Sequence, residues 1–165
     1  AALRGEEMVW EKIPVRHLFE AVGYTMRSKA EKRGITITFQ PELDVLTGNR
    51  ELLESLLINL IDNSIKACES GGRIRVSAFA EGKKAVLCVS DNGRGIPAEE
   101  LPRVKEAFYR VDKARSRKEG GAGLGLSLCE QIADAHQAVM RMESSPQKGT
   151  TVHIYFPFNK SVTSR

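Results

Sequence analysis

Four polar residues set into one apolar stretch carry the first chemistry in this chain. Asn59, Asp62, Asn63 and Lys66 recur at three- and four-residue steps within the segment from Glu54 to Lys66. On a helix they share one sector roughly 100° wide. Two amides, a carboxylate and an ammonium grouped this way can hold a metal ion and phosphate oxygens. They equally suit a solvated face with an Asp62–Lys66 ion pair, worth about a few tenths of a kcal/mol. Leu53, Leu56, Leu57, Leu60, Ile61 and Ile65 repeat the same spacing on the other side, which is the pattern of a buried stripe.

Two glycine-bearing segments add to this. Residues 91–97 read Asp-Asn-Gly-Arg-Gly-Ile-Pro and break an apolar run abruptly. Gly93 and Gly95 let the backbone turn sharply and approach a flat ligand. A carboxylate at Asp91 can accept the exocyclic amine of adenine, and an ordinary Asn-Gly turn fits the same residues. Residues 120–126, Gly-Gly-Ala-Gly-Leu-Gly-Leu, open onto a helical pattern. There, backbone N–H groups and the helix dipole favour phosphate oxygens, although a flexible hinge would read the same. No Gly-Lys-Ser/Thr follows, so this is not a P-loop. A long charged segment precedes the glycines, which is not a Rossmann arrangement, and the protein-kinase motif set is missing.

These residues need elements to position them. Val9 to Val15 is expected as a short strand, with Pro14 restricting it to an edge or end. A helix is expected from Val15 to Lys32, with Leu18, Phe19, Val22 and Met26 inward and Gly34 as its stop signal. Ile35 to Phe39 alternates as a strand, and Pro41 to Gly48 holds another extended piece. Asn49 is placed to cap the central helix, which is expected to run to the Gly71–Gly72 turn. Arg73–Ala80 and Lys84–Ser90 form a hairpin. A short helix is expected over Ala98–Glu106, then a helix from the second glycine run to about His136. Two strands, Val139–Ser144 and Thr150–Pro157, close the chain. The sum is α+β: a mixed sheet of about five strands with three main helices on one face, a two-layer sandwich. Residues 1–8 read as the stub of a preceding helix, 9–158 as one domain, and 159–165 as a disordered tail.

The 165 residues are enough to bury a real core. Hydrophobic residues at 41% and charged residues at 28% are ordinary for a soluble protein. No apolar run reaches the length of a membrane span, and no signal-peptide pattern opens the chain. Cys68, Cys88 and Cys129 are far apart and apolar in context, so reduced, buried thiols are expected, not a disulfide frame or zinc site. The net charge is +4, and seven of the basic residues lie between Arg103 and Lys118 against only Glu106 and Asp112. Aromatic interleaving is thin there and no nucleic-acid motif occurs, so nucleic acid is not the expected partner. A solvated loop or a flexible cover over an anion fits the segment.

Taken in order, the motifs are Asn-x-x-x-Asn-x-x-Lys at 59–66, Asp-Asn-Gly-x-Gly-Ile at 91–96, Phe108-Tyr109-Arg110, the basic segment, Gly-x-Gly-Leu-Gly-Leu at 121–126, and Gly149-Thr150. This series resembles the catalytic, ATP-binding domain of bacterial two-component sensor histidine kinases. That domain has the Bergerat fold and belongs to a superfamily that includes DNA gyrase, the mismatch-repair protein MutL and a heat-shock chaperone. The likeness runs from about Val9 to Pro157. It implies that Asn63 is a Mg²⁺ ligand with Asn59 beside it, that Lys66 meets the phosphates, and that Asp91 accepts the adenine amine. By the same resemblance Gly93, Gly95 and Ile96 line the base, with Thr150 behind Asp91. Tyr109 and Arg110 begin a lid, Arg110 reaches the γ-phosphate, and Gly121, Gly123, Leu124, Gly125 and Leu126 close the lid over the triphosphate. ATP and Mg²⁺ are the implied cofactors, and Asn59, Lys66 and Arg110 the implied catalytic set. Two departures stand out: Ala67 replaces a frequent aromatic residue near the base, and His136-Gln137-Ala138 replaces a frequent His-Gly-Gly.

Asn59 separates branches of the superfamily. In the gyrase and chaperone branches a glutamate at this position activates water, and an amide cannot take that proton. Phosphoryl transfer to another nucleophile relies on positioning and charge neutralisation instead. His17, His136 and His153 are the only histidines. His17 lacks the acidic neighbour and Thr-Pro of a phosphoacceptor, His136 is near a helix C-terminus where positive charge is favoured, and His153 lies in a strand. The implied acceptor is therefore a histidine on a separate dimerisation domain of the same kinase, with a response regulator downstream. The full protein is expected to be a homodimer and this piece a monomer, in the cytoplasmic part of a membrane-anchored sensor. An anti-sigma-factor-type serine kinase and a degenerate ATP-binding scaffold are the alternatives.

Overall fold

The computed structural model describes residues 8–96 and 122–157, with side chains from 126 onward in the second span. In order these are β1 (Glu11–Pro14), α1 (Val15–Glu31), β2 (Thr36–Pro41), β3 (Val45–Gly48), α2 (Arg50–Ala67), β4 (Arg73–Glu81), β5 (Lys84–Asp91), α3 (Ala122–Ala135), β6 (Val139–Ser145) and β7 (Gly149–Phe156). The main sheet has the order β2-β4-β5-β7-β6. β2 is parallel to β4 and the other pairs are antiparallel. β1 and β3 form a separate antiparallel pair, with Glu11 opposite Gly48 and Pro14 opposite Val45.

Strand alternation sorts the sheet's two faces. Ala85, Leu87 and Val89 of β5 share the core with Ile74, Val76 and Ala78 of β4 and Val152, Ile154 and Phe156 of β7. The helices supply the other half, with Leu18, Phe19, Val22 and Met26 from α1, the predicted α2 stripe at 0–3% exposure, and Cys129 and Ile132 from α3. The result is the expected two-layer sandwich. Asp91 follows Val89 at the same parity, so β5 delivers its carboxylate to the helix side of the sheet.

α1 follows directly on Pro14, and its first N–H, from Val15, finds the Asp44 carbonyl at 2.9 Å. Asn49 caps α2 as predicted, its Oδ1 accepting from the Leu52 N–H at 2.9 Å. That helix ends at Ala67, four residues before the predicted Gly71–Gly72 stop. Cys68 is already extended, because the carbonyls of Lys66 and Ala67 accept from Arg94 Nη1 and Arg94 N. The hairpin strands run one residue longer than expected, to Glu81 and Asp91. The short helix expected over Ala98–Glu106 and the tail from 159 lie outside the described residues. All three cysteines are free and buried. Burial, and then the Glu130 charge, pushes the Cys129 thiol up to about 12.

Candidate functional site

α2 places Asn59, Asp62, Asn63 and Lys66 on its half-buried side, opposite the leucine stripe. Asn59 turns its Nδ2 back to the Ser55 carbonyl at 2.8 Å, which leaves its amide oxygen as the outward acceptor. Asn63 Nδ2 is buried and has no hydrogen-bond partner among the described residues, an expensive state for an N–H₂ donor unless an acceptor completes the site. Asp62 Oδ2 lies 3.1 Å from Lys66 Nζ, so the predicted ion pair exists together with the polar cluster. Burial alone would raise the Asp62 carboxyl, but hydrogen bonds from Lys29 and Lys66 and their charges bring it below its ordinary value.

The Asp91 carboxylate is 8% exposed. Its Oδ2 accepts from Ser64 Oγ at 2.7 Å, and its Oδ1 from Gly93 N at 2.8 Å and Thr150 N at 3.2 Å. A carboxylate has about four acceptor positions, and the protein fills three, fixing the group while leaving capacity for one more donor. Thr150 is beside Asp91 as expected, but it acts through its backbone. Its hydroxyl pairs with Ser144 Oγ at 2.8 Å.

The loop after Asp91 is held from two sides. Arg94 N reaches the Ala67 carbonyl at 3.1 Å, while Gln147 N donates to the Arg94 carbonyl at 2.6 Å and Ile96 N to Ser144 Oγ at 2.7 Å. A Cβ on Gly93 would sit 2.7 Å from the Ala67 oxygen, and one on Gly95 (φ +75°) would sit 1.9 Å from the Ser145 oxygen. Both glycines are required by close backbone approach. Ala67, Gly93 and Arg94 also border a cavity of about 230 Å³, together with Glu69, Asn92 and Gln147.

α3 begins at Ala122, so Gly123, Leu124 and Gly125 stand in its first turn instead of in a loop ahead of it. N–H groups of a first turn lack intrahelical partners and suit an anion. Leu126 is buried, and Cys129 Sγ meets the Leu56 carbonyl at 3.8 Å, so α3 packs on α2. Tyr109, Arg110 and Gly121 lie outside the described residues.

Sequence reasoning missed Ser64, Ser144 and the use of His136. Ser64 falls at the helical spacing of the leucine stripe, and a lone hydroxyl there was the available signal. Ser144 carried none. His136 is buried, and its Nε2 accepts the Asn49 N–H at 3.1 Å. Nδ1 is then the protonated nitrogen, facing the Ile132 carbonyl at 2.8 Å. Burial lowers its pKa, against a smaller opposing effect of Ile132. The expected positive charge at a helix end is thus corrected to a neutral imidazole joining α3 to the start of α2. Gln137 next to it keeps the left-handed turn, at φ 57°, where the frequent glycine is absent.

The family model described as "Histidine kinase-, DNA gyrase B-, and HSP90-like ATPase" matches residues 48–160. The chain belongs to this ATPase family. The signal transduction histidine-protein kinase BaeS of Escherichia coli (strain K12) is 31% identical over 158 residues, 94% of this chain and 34% of that protein. The sensor histidine kinase YkoH of Bacillus subtilis (strain 168) is 38% identical over 153 residues, 93% and 33% of the two chains. The crystal structure of full-length ShkA in complex with AMPPNP superposes with a TM-score of 0.81 at 24% identity, covering 96% of this chain and 32% of that one. The ATPase domain thus spans about a third of the length of these relatives. Within the family it is of the sensor-histidine-kinase type, the catalytic, ATP-binding kind. No helix among the described residues is long and apolar enough to cross a membrane.

Proposed function

We propose that this domain binds Mg·ATP and transfers the γ-phosphate to a histidine on a separate dimerisation domain of the same sensor kinase, from which a response regulator receives it. The observation that carries the reading is the Asp91 carboxylate, buried, fixed by three protein donors and left with room for a fourth. An exocyclic amine of adenine is a donor of the right kind, and guanine presents a carbonyl at the corresponding position. Gly93, Gly95 and Ile96 then line the base, and Lys66 meets the phosphates.

The α2 face fits a hard cation. Asn59 has its nitrogen engaged and its oxygen to spare, the unpartnered nitrogen of Asn63 is a donor suited to a phosphate or water oxygen beside the ion while its amide oxygen is the atom for the metal, and Mg²⁺ takes few protein oxygens, keeping phosphates and waters as its other ligands. Mg²⁺ held by Asn63 and Asn59 would neutralise developing charge on the phosphate oxygens. The chain's own part is to orient the nucleotide and withhold a general base: an amide at Asn59 spares the γ-phosphate from water. Arg110, Tyr109 and the first turn of α3 would close on the triphosphate.

None of the three histidines is placed as acceptor in this reading. His136 is buried and hydrogen-bonded, His153 is stacked on Tyr155 within β7, and His17 lacks a phosphoacceptor context. The piece is expected to be cytoplasmic in a membrane-anchored dimer and to self-label little until an acceptor domain is supplied. Acid-labile phosphate on that domain would identify phosphohistidine over phosphoserine.

Calorimetry of ATP with and without Mg²⁺ tests the core of the proposal. Magnesium should tighten binding, and Asp91→Asn should weaken it by about 10- to 100-fold, the range for losing a hydrogen bond to a charged group. Binding indifferent to Asp91 would favour a scaffold with relic motifs.

A further inference from the structure

Asp62 is shared by two ammonium groups from different helices. Lys66, one turn further along α2, stands 3.1 Å from Oδ2, and Lys29, in the last turn of α1, donates to Oδ1. No motif pointed to Lys29. Its side chain is 53% exposed, against 22% for Asp62 and 21% for Lys66. The cation nearer solvent therefore holds the outer side of a carboxylate whose inner side meets the proposed phosphate ligand.

We propose that Lys29 is a positioning residue that acts on the nucleotide through Asp62. If Lys66 is to turn towards a triphosphate, it must give up part of its contact with Asp62, and a largely covered carboxylate left alone is costly. Lys29 stays on Oδ1 throughout and keeps Asp62 paired while Lys66 is handed to the phosphates. Without Lys29 the whole negative charge of Asp62 falls on Lys66, and ATP has to compete for it. The role rests on Lys66 being the phosphate ligand of the proposed function.

The test is calorimetry of Mg·ATP and of adenosine on the full chain, in Lys29→Met, Lys29→Arg, Asp62→Asn and Lys29→Met/Asp62→Asn. Lys29→Met should raise the ATP dissociation constant roughly three- to fivefold and leave adenosine unchanged, since adenosine has no phosphate to claim Lys66. Lys29→Arg should behave as the parent. In the Asp62→Asn background the effect of Lys29→Met should vanish, because there is no carboxylate to share. Equal weakening in both backgrounds would show a charge acting through solvent and overturn the role, as would unchanged ATP binding in Lys29→Met. Parallel weakening of adenosine would reduce Lys29 to helix packing. A parent chain that binds neither ligand would instead remove the nucleotide reading itself, and this role with it.

Discussion

Gly95 has no room for a methyl group: its Cβ would stand 1.9 Å from the Ser145 carbonyl oxygen, at a φ of +75°. Replacement by alanine brings left-handed strain and a backbone collision together. Gly95→Ala should cost about 2–4 kcal/mol, visible as a lower midpoint in thermal or urea unfolding, whereas Gly82→Ala meets nothing within 4 Å and carries only the φ penalty. The contrast tests whether close approach, more than glycine's flexibility, shapes the Asp91 loop. At this scale the sequence was legible where a residue type admits few roles. A carboxylate ending a strand and glycines just after it point to a sharp, close-packed turn, and the structure has one at Asp91, Gly93 and Gly95. Ser64 was not legible, because a serine in a helix is usually a solvated or back-bonded hydroxyl, and only the tertiary approach of β5 turns it to Asp91.

Between helices and strands the ends decide. Asn49 both caps α2 and donates from Nδ2 to the Val9 carbonyl at 3.0 Å. Asn49→Ala should therefore lower stability by about 1–2 kcal/mol, measured by denaturant titration. Gln137 holds a left-handed φ of 57° that costs a non-glycine residue about 1–2 kcal/mol. Gln137→Gly should relieve this and still gain up to about 1 kcal/mol after the added freedom of the unfolded chain is subtracted. The helices were readable from buried stripes of period 3.6 over 14 or more residues, while the strands, at most nine residues long among the described ones, were read from composition and flanking turns. The C-terminus of α2 was not readable, because its stop is set by Arg94, 27 positions beyond Ala67, and no local pattern encodes a carbonyl taken by a distant donor.

For the molecule as a whole, acid should loosen the fold in two steps. His136 is kept neutral by burial and by accepting from Asn49, so its folded pKa lies below the ordinary 6.5. Below 6.5 the unfolded chain then binds the proton first, and stability falls as pH drops through that value towards the folded one. Melting temperature should therefore rise as pH climbs to 6.5 and level off above it, and His136→Gln should flatten that rise while melting lower at neutral pH. Asp62 adds the second step. Its folded pKa is depressed from 3.8, so its contribution is complete above that value and is lost as pH falls further.

The small β1–β3 pair bears on how movement would pass through the molecule. Val9 is tied to Asn49, and the four register pairs from Glu11–Gly48 to Pro14–Val45 lie alongside. Asn49 is in turn one residue before α2 and is gripped from the other side by His136. Residue 9 is thereby joined through a single side chain to the first turn of α2. Ten residues along that helix from Asn49 stands Asn59, so one unbroken helix links this junction to the polar face.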